Sequence, residues 1–380
     1  MSDHSTNELT AHVYRESAAI DALRDVWKSL AAESPAVTPW QRWDFTSAWW
    51  RHVANAPGQA AKRELRLILV KERGRPRLLV PLQLTARQGL GMRWLEPIGM
   101  PEDIHRPRFA LGALDEKSYG CAIQCIQSLK EDWDGLRIDE KTPEDAELQL
   151  LKRLANQQIW GFYAAPLHAC PYLDLTPAWP QYLASRSRKL RKNLNNGCRR
   201  LGAVGAVRLA RFDSPSDVQR GFEILLDVTA RSWKQVEHIG LGSLDSYRGF
   251  YREWVACMAE GSNVRIYCLY AGERAVAATL AFISGATYYS AQIAHDAAFD
   301  ACSPGTLLEA MELQDLMTER RFKIFDFLGA ALSNKRRWTD AMHDSLRIVW
   351  LGRSARARAF AAYYFGIKPR LNSMRRALRR

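Results

Sequence analysis

No run in this sequence approaches 18 consecutive apolar residues, so nothing in it reads as a membrane-spanning helix. Its start, MSDHSTNELT, is polar and lacks the apolar stretch of a secretory signal, which leads us to expect a cytoplasmic protein. Cysteine is sparse and unpatterned: Cys121, Cys125, Cys170, Cys198, Cys257, Cys268 and Cys302 form no C-x-x-C and no paired zinc spacing. Their odd number argues against a disulfide framework. A phosphate-binding P-loop, an H-E-x-x-H zinc helix and a G-x-S-x-G nucleophile elbow are all missing. So is the carboxylate cluster that a nuclease or polymerase needs. No metal is expected.

Acidic residues are missing in two places. Thr176–Phe212 holds nine Lys or Arg and no acid, and the chain after Gly352 holds nine more with none. The formal net charge is +13, so these two segments account for all of it and the remainder is mildly acidic. Such local basicity suits an anionic ligand or a membrane patch better than general coating of nucleic acid. The first segment contains SRSRKLRKNLNNGCRRL, Ser185 to Leu201. Leu183, Leu190, Leu194, Cys198 and Leu201 make one helical stripe there, with cations over the remaining surface. A solvated helix face normally mixes signs, because like charges three and four residues apart repel. Arg188, Lys189 and Lys192 are therefore candidate substrate-binding residues. Asn195, Asn196 and Gly197 weaken the middle of the helix and predict a bend or an early end. In the second segment, KPRLNSMRRALRR from Lys368 reads either as a short basic amphipathic helix for anionic lipid or as a frayed tail.

With 380 residues, two domains are the expectation, and the two halves resemble each other. LRLILVKERGRPRLLVPLQL (Leu65–Leu84) and VRIYCLYAGERAVAATLAFI (Val264–Ile283) both read as strand, glycine turn, strand. Each follows an aromatic helix, WDFTSAWWRHV or YRGFYREWVACM, and each precedes a helix leading to a further strand, DGLRID or FKIFDFLG. The order is α/β with a mixed sheet, mostly antiparallel and flanked by helices. It predicts one domain over 10–176, a basic connecting helix over 177–202, a second domain over 203–350 and a basic tail over 351–380.

In the second copy a β-rich run, Thr287–Ile293, enters a turn with Ser303, Pro304 and Gly305, from which a helix starts. Leu307, Leu308, Met311 and Leu316 give that helix an apolar stripe. A helix start offers unbonded N–H groups and the positive end of the dipole, so Ser303, Gly305, Thr306 and Leu307 are candidates for holding a diphosphate. Ser-Pro-Gly-Thr is also an ordinary helix cap, and on the turn alone that reading is the simpler one. The matching turn of the first copy, near Asp115–Gly120, has no Ser-Pro-Gly, so one copy only looks equipped.

Asp296, Phe299 and Ser303–Gly305, then a helix, FDFLG (Phe325–Gly329) and KRRW (Lys335–Trp338), together resemble the GNAT superfamily. More narrowly, with SRKLRKNL and Ser232–Trp233–Lys234, the chain looks like the tandem-GNAT branch of Fem-type aminoacyl transferases and CelD-like proteins of cellulose biosynthesis. The resemblance implies two tandem GNAT-like domains, the first degenerate. It also implies an amine attacking an acyl thioester beside splayed central strands, with acyl-CoA or acetyl-CoA as co-substrate and its diphosphate on Gly305, Thr306 and Leu307. The sequence departs from that family's donor signature at Cys302 and Leu307, where Arg or Gln and a small residue are usual.

Acyl transfer to an amine needs a deprotonated nucleophile and a stabilised oxyanion. On the resemblance, Asp326 at a strand end orients or deprotonates the amine, and Lys335 holds a phosphate or carboxylate of the acceptor. Asp296 and His295 are candidate bases, though a loop Asp or His is more often a turn residue. Tyr288 and Tyr289 alternate faces, so Tyr289 can face the cleft, and Trp233 can stack on an acceptor ring. The expected reaction is N-acylation of a small-molecule amine or an envelope precursor, including exopolysaccharide metabolism. Two alternatives stand beside it: aminoacyl-tRNA-dependent extension of a peptidoglycan bridge, with tRNA as partner, and a non-catalytic scaffold in a polysaccharide-synthesis complex.

Overall fold

The run Leu65–Val70 is buried at every position, as a strand covered on both faces requires. The computed structural model describes residues 9–57, 62–86, 91–100, 104–129, 133–158, 161–232 and 244–367, which fall into two units. One comprises the chain up to Trp50, Ala54–Leu167 and Asp344 onward; the other comprises Arg51–Val53 and His168–His343.

The first half of the chain runs β1 (Leu9–Tyr14), α1 (Ala18–Ala22), α2 (Arg24–Glu33), α3 (Trp43–His52), β2 (Arg63–Glu72) and β3 (Arg75–Ala86). Then come β4 (Arg93–Pro97), β5 (Leu111–Gly112), α4 (Glu116–Ser128), β6 (Gly135–Lys141), α5 (Ala146–Gln158) and β7 (Phe162–Asp174). Arg73 and Gly74, both at positive φ, close the β2–β3 hairpin with the twist that two-residue turns favour. Tyr119, Ala122, Ile123 and Ile126 recur at helical spacing on α4, and that face joins the core formed by β2 and β3. Each fully buried Leu, Ile or Val there contributes about 1.5–3 kcal/mol.

The second half begins with α6 (Trp179–Ser185) and α7 (Arg188–Gly202), then β8 (Val207–Phe212), α8 (Val218–Ala230), α9 (Asp245–Glu260), β9 (Val264–Ala271) and β10 (Arg274–Ser284). It continues with β11 (Thr287–His295), α10 (Pro304–Glu319), β12 (Ile324–Asp326), α11 (Ser333–Arg336), β13 (Met342–Leu351) and α12 (Ala355–Ala361). The helices and strands repeat the order of the first half, as the two sequence copies predict.

The units are not the contiguous segments expected at 10–176 and 203–350. The first sheet has the order β1-β2-β3-β4-β6-β13 and the second β8-β9-β10-β11-β12-β7. In each, one neighbouring pair is parallel, β4 with β6 and β11 with β12, and the other ladders resolved are antiparallel. The closing strand of each sheet thus comes from the other half of the chain: Ile348 of β13 pairs with Ile138 of β6, and Tyr172 of β7 pairs with Asp326 of β12. The periodicity of a strand shows which face is buried but not which edge it joins, so the sequence pattern could not reveal this exchange. The expected connecting helix, 177–202, is α6 and α7 and belongs to the second unit. The tail from Lys368 lies outside the described residues.

Candidate active site

The parallel ladder of β11 and β12 is short: Thr287, Tyr288 and Tyr289 stand opposite Ile324, Phe325 and Asp326. There it stops, while β11 continues to His295 along β10. The two central strands therefore diverge beyond Tyr289 and Asp326. A register shift against Leu280 and Ala281 leaves Ala291 as an extra residue in β11, a bulge of the kind that re-aims side chains beside sites. Residues 289–293 of β11 are all half-buried, in contrast with the fully buried Tyr288. Tyr289 thus occupies the accessible face, and Tyr288 turns into the core.

Beyond β11 a 3-10 turn, Ala297–Cys302, leads into α10. Ser303 joins them at φ +50, a left-handed conformation unusual outside glycine, and its side chain makes no cap. Its carbonyl accepts the N–H groups of Thr306 (3.1 Å) and Leu307 (3.2 Å). A Cβ on Gly305 would meet Nδ1 of His295 at 3.3 Å and Ile293 at 3.7 Å, which places the first turn of α10 on the diverging end of β11. Arg337 reaches the same turn, its Nη1 donating to Thr306 Oγ1 at 2.6 Å while the side chain remains exposed. The Leu307 side chain is buried among core residues rather than over the turn. Two of the N–H groups of the turn are occupied by Ser303, so the turn presents an anion with a guanidinium, a hydroxyl and the dipole more than with a backbone cradle. These groups fit a diphosphate.

The strand-end residues hold the loop that follows them. Asp326, buried, accepts the Leu328 N–H at 2.8 Å, and Lys335 Nζ donates to the Leu328 carbonyl at 2.6 Å. Leu328 and Gly329 both sit at positive φ, so this loop needs such fastening. Asp296, expected as a candidate base, is committed elsewhere. It is buried, accepts from Arg231 (2.8 Å) and Arg274 (2.6 Å), and caps the 3-10 turn through the Ala298 N–H (3.1 Å). Burial pushes its carboxyl up, but the bonds from Arg274, Ala298 and Arg231 outweigh that and hold it below the usual carboxylate range. A carboxylate so held is a poor proton acceptor. His295 pairs with Asp300 at 2.9 Å.

Helix α7 is unbroken from Arg188 to Gly202, contrary to the bend expected at Asn195–Gly197. Ser187 caps it, accepting from the Leu190 N–H at 3.2 Å. Gly197 is there because nothing larger fits: a Cβ would stand 2.6 Å from the Cys302 carbonyl oxygen. Leu190, Leu194 and Leu201 enter the core with Leu307 and Leu308 of α10. Arg188, Lys189, Arg191, Lys192 and Arg199 are exposed, and among the described residues no acid pairs with them. Arg186, just before the helix, donates to the Trp338 carbonyl at 3.0 Å, tying its start to the turn that carries Arg337. Trp233 lies outside the described residues.

Three features escaped the sequence reading. Arg337 was visible only as part of KRRW, and its contact with Thr306 depends on how the loop after β12 folds back. Glu309 and Glu312 are not among the apolar residues that the sequence places on this helix's buried stripe, yet α10 is buried nearly all round, including both glutamates. Trp338 is fully buried and joins three elements: its indole donates to Glu309 (2.9 Å), and its carbonyl accepts from Tyr182 (2.7 Å) and Arg186.

The family model of the acetyltransferase (GNAT) domain matches residues 188–338. No curated protein matches the chain by sequence. Among solved structures, FemX is similar with a TM-score of 0.56 and 11% identity, over 90% of this chain and 96% of that one. The C-terminal domain of a putative lysylphosphatidylglycerol synthetase from Agrobacterium fabrum gives 0.54 and 14% over 90% and 94%. A conserved protein of unknown function from Bacteroides thetaiotaomicron gives 0.52 and 11% over 90% and 100%. At these identities the likeness is one of fold. The chain thus shares the mixed α/β fold of these structures, and residues 188–338, with the diverging strands and α10 among them, match the acetyltransferase (GNAT) domain.

Proposed function

We propose that the second unit transfers an acyl group from acyl-CoA to an amine. The observation that carries this reading is the divergence of β11 and β12 beyond Tyr289 and Asp326, with the first turn of α10 and Arg337 at the same end. When bound, acyl-CoA supplies an acyl carbon already activated as a thioester. Arg337, Thr306 and the α10 dipole hold the diphosphate. Asp326 and Lys335, working on the two sides of Leu328, keep the strand-end loop in the shape that receives the acceptor. Tyr289, half-buried opposite Asp326, contributes to the wall against which the acceptor rests. Arg188, Lys189 and Lys192 draw an anionic acceptor, such as an envelope precursor carrying phosphate, toward the cleft.

The exposed cations of α7 favour one further reading, an aminoacyl-tRNA donor, since an uncompensated basic helix suits a polyanion. Calorimetric titration with acetyl-CoA, a long-chain acyl-CoA and deacylated tRNA separates the two. Saturable heat with a thioester, weakened in Arg337→Gln, supports acyl-CoA. Flat thioester titrations with saturable tRNA binding would replace it by the second reading.

A further inference from the structure

Buried carboxylates in this protein are nearly always neutralised. Glu147 bonds Lys141, Asp134 faces Arg93, and Asp296 bonds Arg231 and Arg274. Glu309 and Glu312, one turn apart on α10 and both buried, are different: among the described residues neither has a cation within ion-pair distance. Glu309 accepts a hydrogen bond from the Trp338 indole (2.9 Å), and Glu312 accepts one from Tyr288 Oη (2.6 Å). The buried hydroxyl of Thr279 bears on Glu312 as well, so neutral hydroxyls and no cation face that carboxyl. Burial pushes Glu312 up to about 8, with the Tyr288 bond opposing and the charge of Glu309 adding to the rise. Burial pushes Glu309 to about 7, restrained by the Trp338 bond and then by the charges of Arg337 and Lys335. The charge of Glu309 acts on Tyr182 of α6 as well, and Arg186 bonds the Trp338 carbonyl.

The cations that keep Glu309 ionised are thus the two on the turn that reaches the start of α10. An anion seated beside Arg337 cancels part of that field. We propose that Glu309 is a proton-linked positioning residue: ionised, it holds the 335–338 turn through Trp338, and it takes up a proton when a diphosphate binds between Arg337 and Thr306. By reciprocity the protonated protein binds the anion more tightly. This rests on the reading of that turn as the diphosphate seat of the donor. It adds that donor affinity falls as pH rises through neutrality, for a reason internal to the fold.

The test is calorimetric titration of the full chain with coenzyme A and, separately, inorganic pyrophosphate. Each titration is run at pH 7 in two buffers of different protonation enthalpy, for wild type, Glu309→Gln and Trp338→Phe. The phosphates of each ligand titrate alike in all three proteins, so only the difference belongs to Glu309. With Glu309 near pH 7, wild type should take up as much as about half a proton more per ligand than Glu309→Gln. Its Kd should rise on the order of tenfold more between pH 6 and 8.5, the equivalent of one pKa unit gained on binding. Trp338→Phe removes the largest of the restraints on Glu309, shifts it toward the protonated form at pH 7 and should lose much of the uptake while Glu309 is still present. Equal uptake in all three proteins would overturn the proposal. Linked pyrophosphate binding without coenzyme A binding would end the acyl-CoA reading and leave this inference standing; binding of neither ligand would overturn both.

Discussion

Helix α7 carries two buried-or-terminal glycines whose replacement by alanine should have opposite effects. At Gly197 an added Cβ lies 2.6 Å from the Cys302 carbonyl oxygen and 3.7 Å from its carbon. Both are backbone atoms of the turn leading into α10, so no rotamer change relieves the clash. Overpacking of this kind costs about 1–3 kcal/mol, against the roughly 1 kcal/mol that alanine gains over glycine inside a helix. The net is a loss of up to about 2 kcal/mol. At Gly202, the last residue of the same helix, nothing lies within 4 Å of the added atom, and the change should be neutral or stabilising by a few tenths up to about 1 kcal/mol. For a unit of this size, 1 kcal/mol corresponds to about 2–4 °C in Tm, so the two variants, up to about 3 kcal/mol apart, should separate by up to about 12 °C in a thermal melt, with Gly197→Ala the lower. Because α7 must back away from the turn in Gly197→Ala, that variant should also bind its anionic ligand more weakly. Equal melting temperatures for the two variants would refute the close approach, and with it the reason for a glycine at position 197.

Three further outcomes follow from other parts of the second unit. Glu312, raised by burial to about 8 from an ordinary value near 4.5, keeps its proton when folded while the unfolded chain gives it up. Its contribution to stability should therefore be lost as pH climbs from about 5 through 8, by up to about 5 kcal/mol; Glu312→Gln should reduce that slope in urea unfolding and leave the part Glu309 contributes, and an unchanged slope would contradict the assignment. Asp296→Asn leaves two guanidinium groups around a neutral amide and should cost on the order of 1–3 kcal/mol, while turnover of the folded fraction stays near wild type; a large loss of kcat with stability intact would restore Asp296 as a base. Lys335→Met releases the Leu328 carbonyl and should lower kcat more than it raises the KM for acyl-CoA, since the loop it holds belongs to the acceptor side; a pure donor KM effect would move Lys335 to the diphosphate.

Much of this architecture was legible. The hairpins at Leu65–Leu84 and Val264–Ile283 combine β-rich runs with glycine turns, signals that survive any tertiary context, and the repeat of helix and strand order fixed the fold class. The start of α10 was legible too, because Ser-Pro-Gly-Thr is local chemistry. What was hidden is what depends on partners far along the chain. Tyr172 pairs with Asp326 across 154 positions of sequence, and no pattern in either strand names the other. Glu309 and Glu312 were hidden for a different reason: on a helix, Glu every third residue reads as a wet face, and only Trp338, Tyr288 and Thr279, drawn from later or earlier strands and loops, make that face dry.

The same dependence bears on how the altered turn can serve the diphosphate proposed for it. Read locally, Leu307 in place of a small residue obstructs a backbone cradle. In the fold, its side chain is drawn into the core with Leu190 and Leu194 of the basic helix, and its N–H is spent on Ser303. What the turn loses in backbone donors is matched by Arg337 on Thr306, and the position of Arg337 is secured by the burial of Trp338 beside it. A guanidinium next in the chain to a buried indole that is bonded to a carboxyl raised to about 7 responds to pH in a way that a backbone cradle cannot. Substituting Leu307 by alanine should therefore cost about 2–5 kcal/mol of stability, as for a buried leucine, and leave coenzyme A affinity nearly unchanged. A gain in affinity of tenfold or more would show instead that the leucine obstructs the turn and that the backbone, not Arg337, is the principal anion donor.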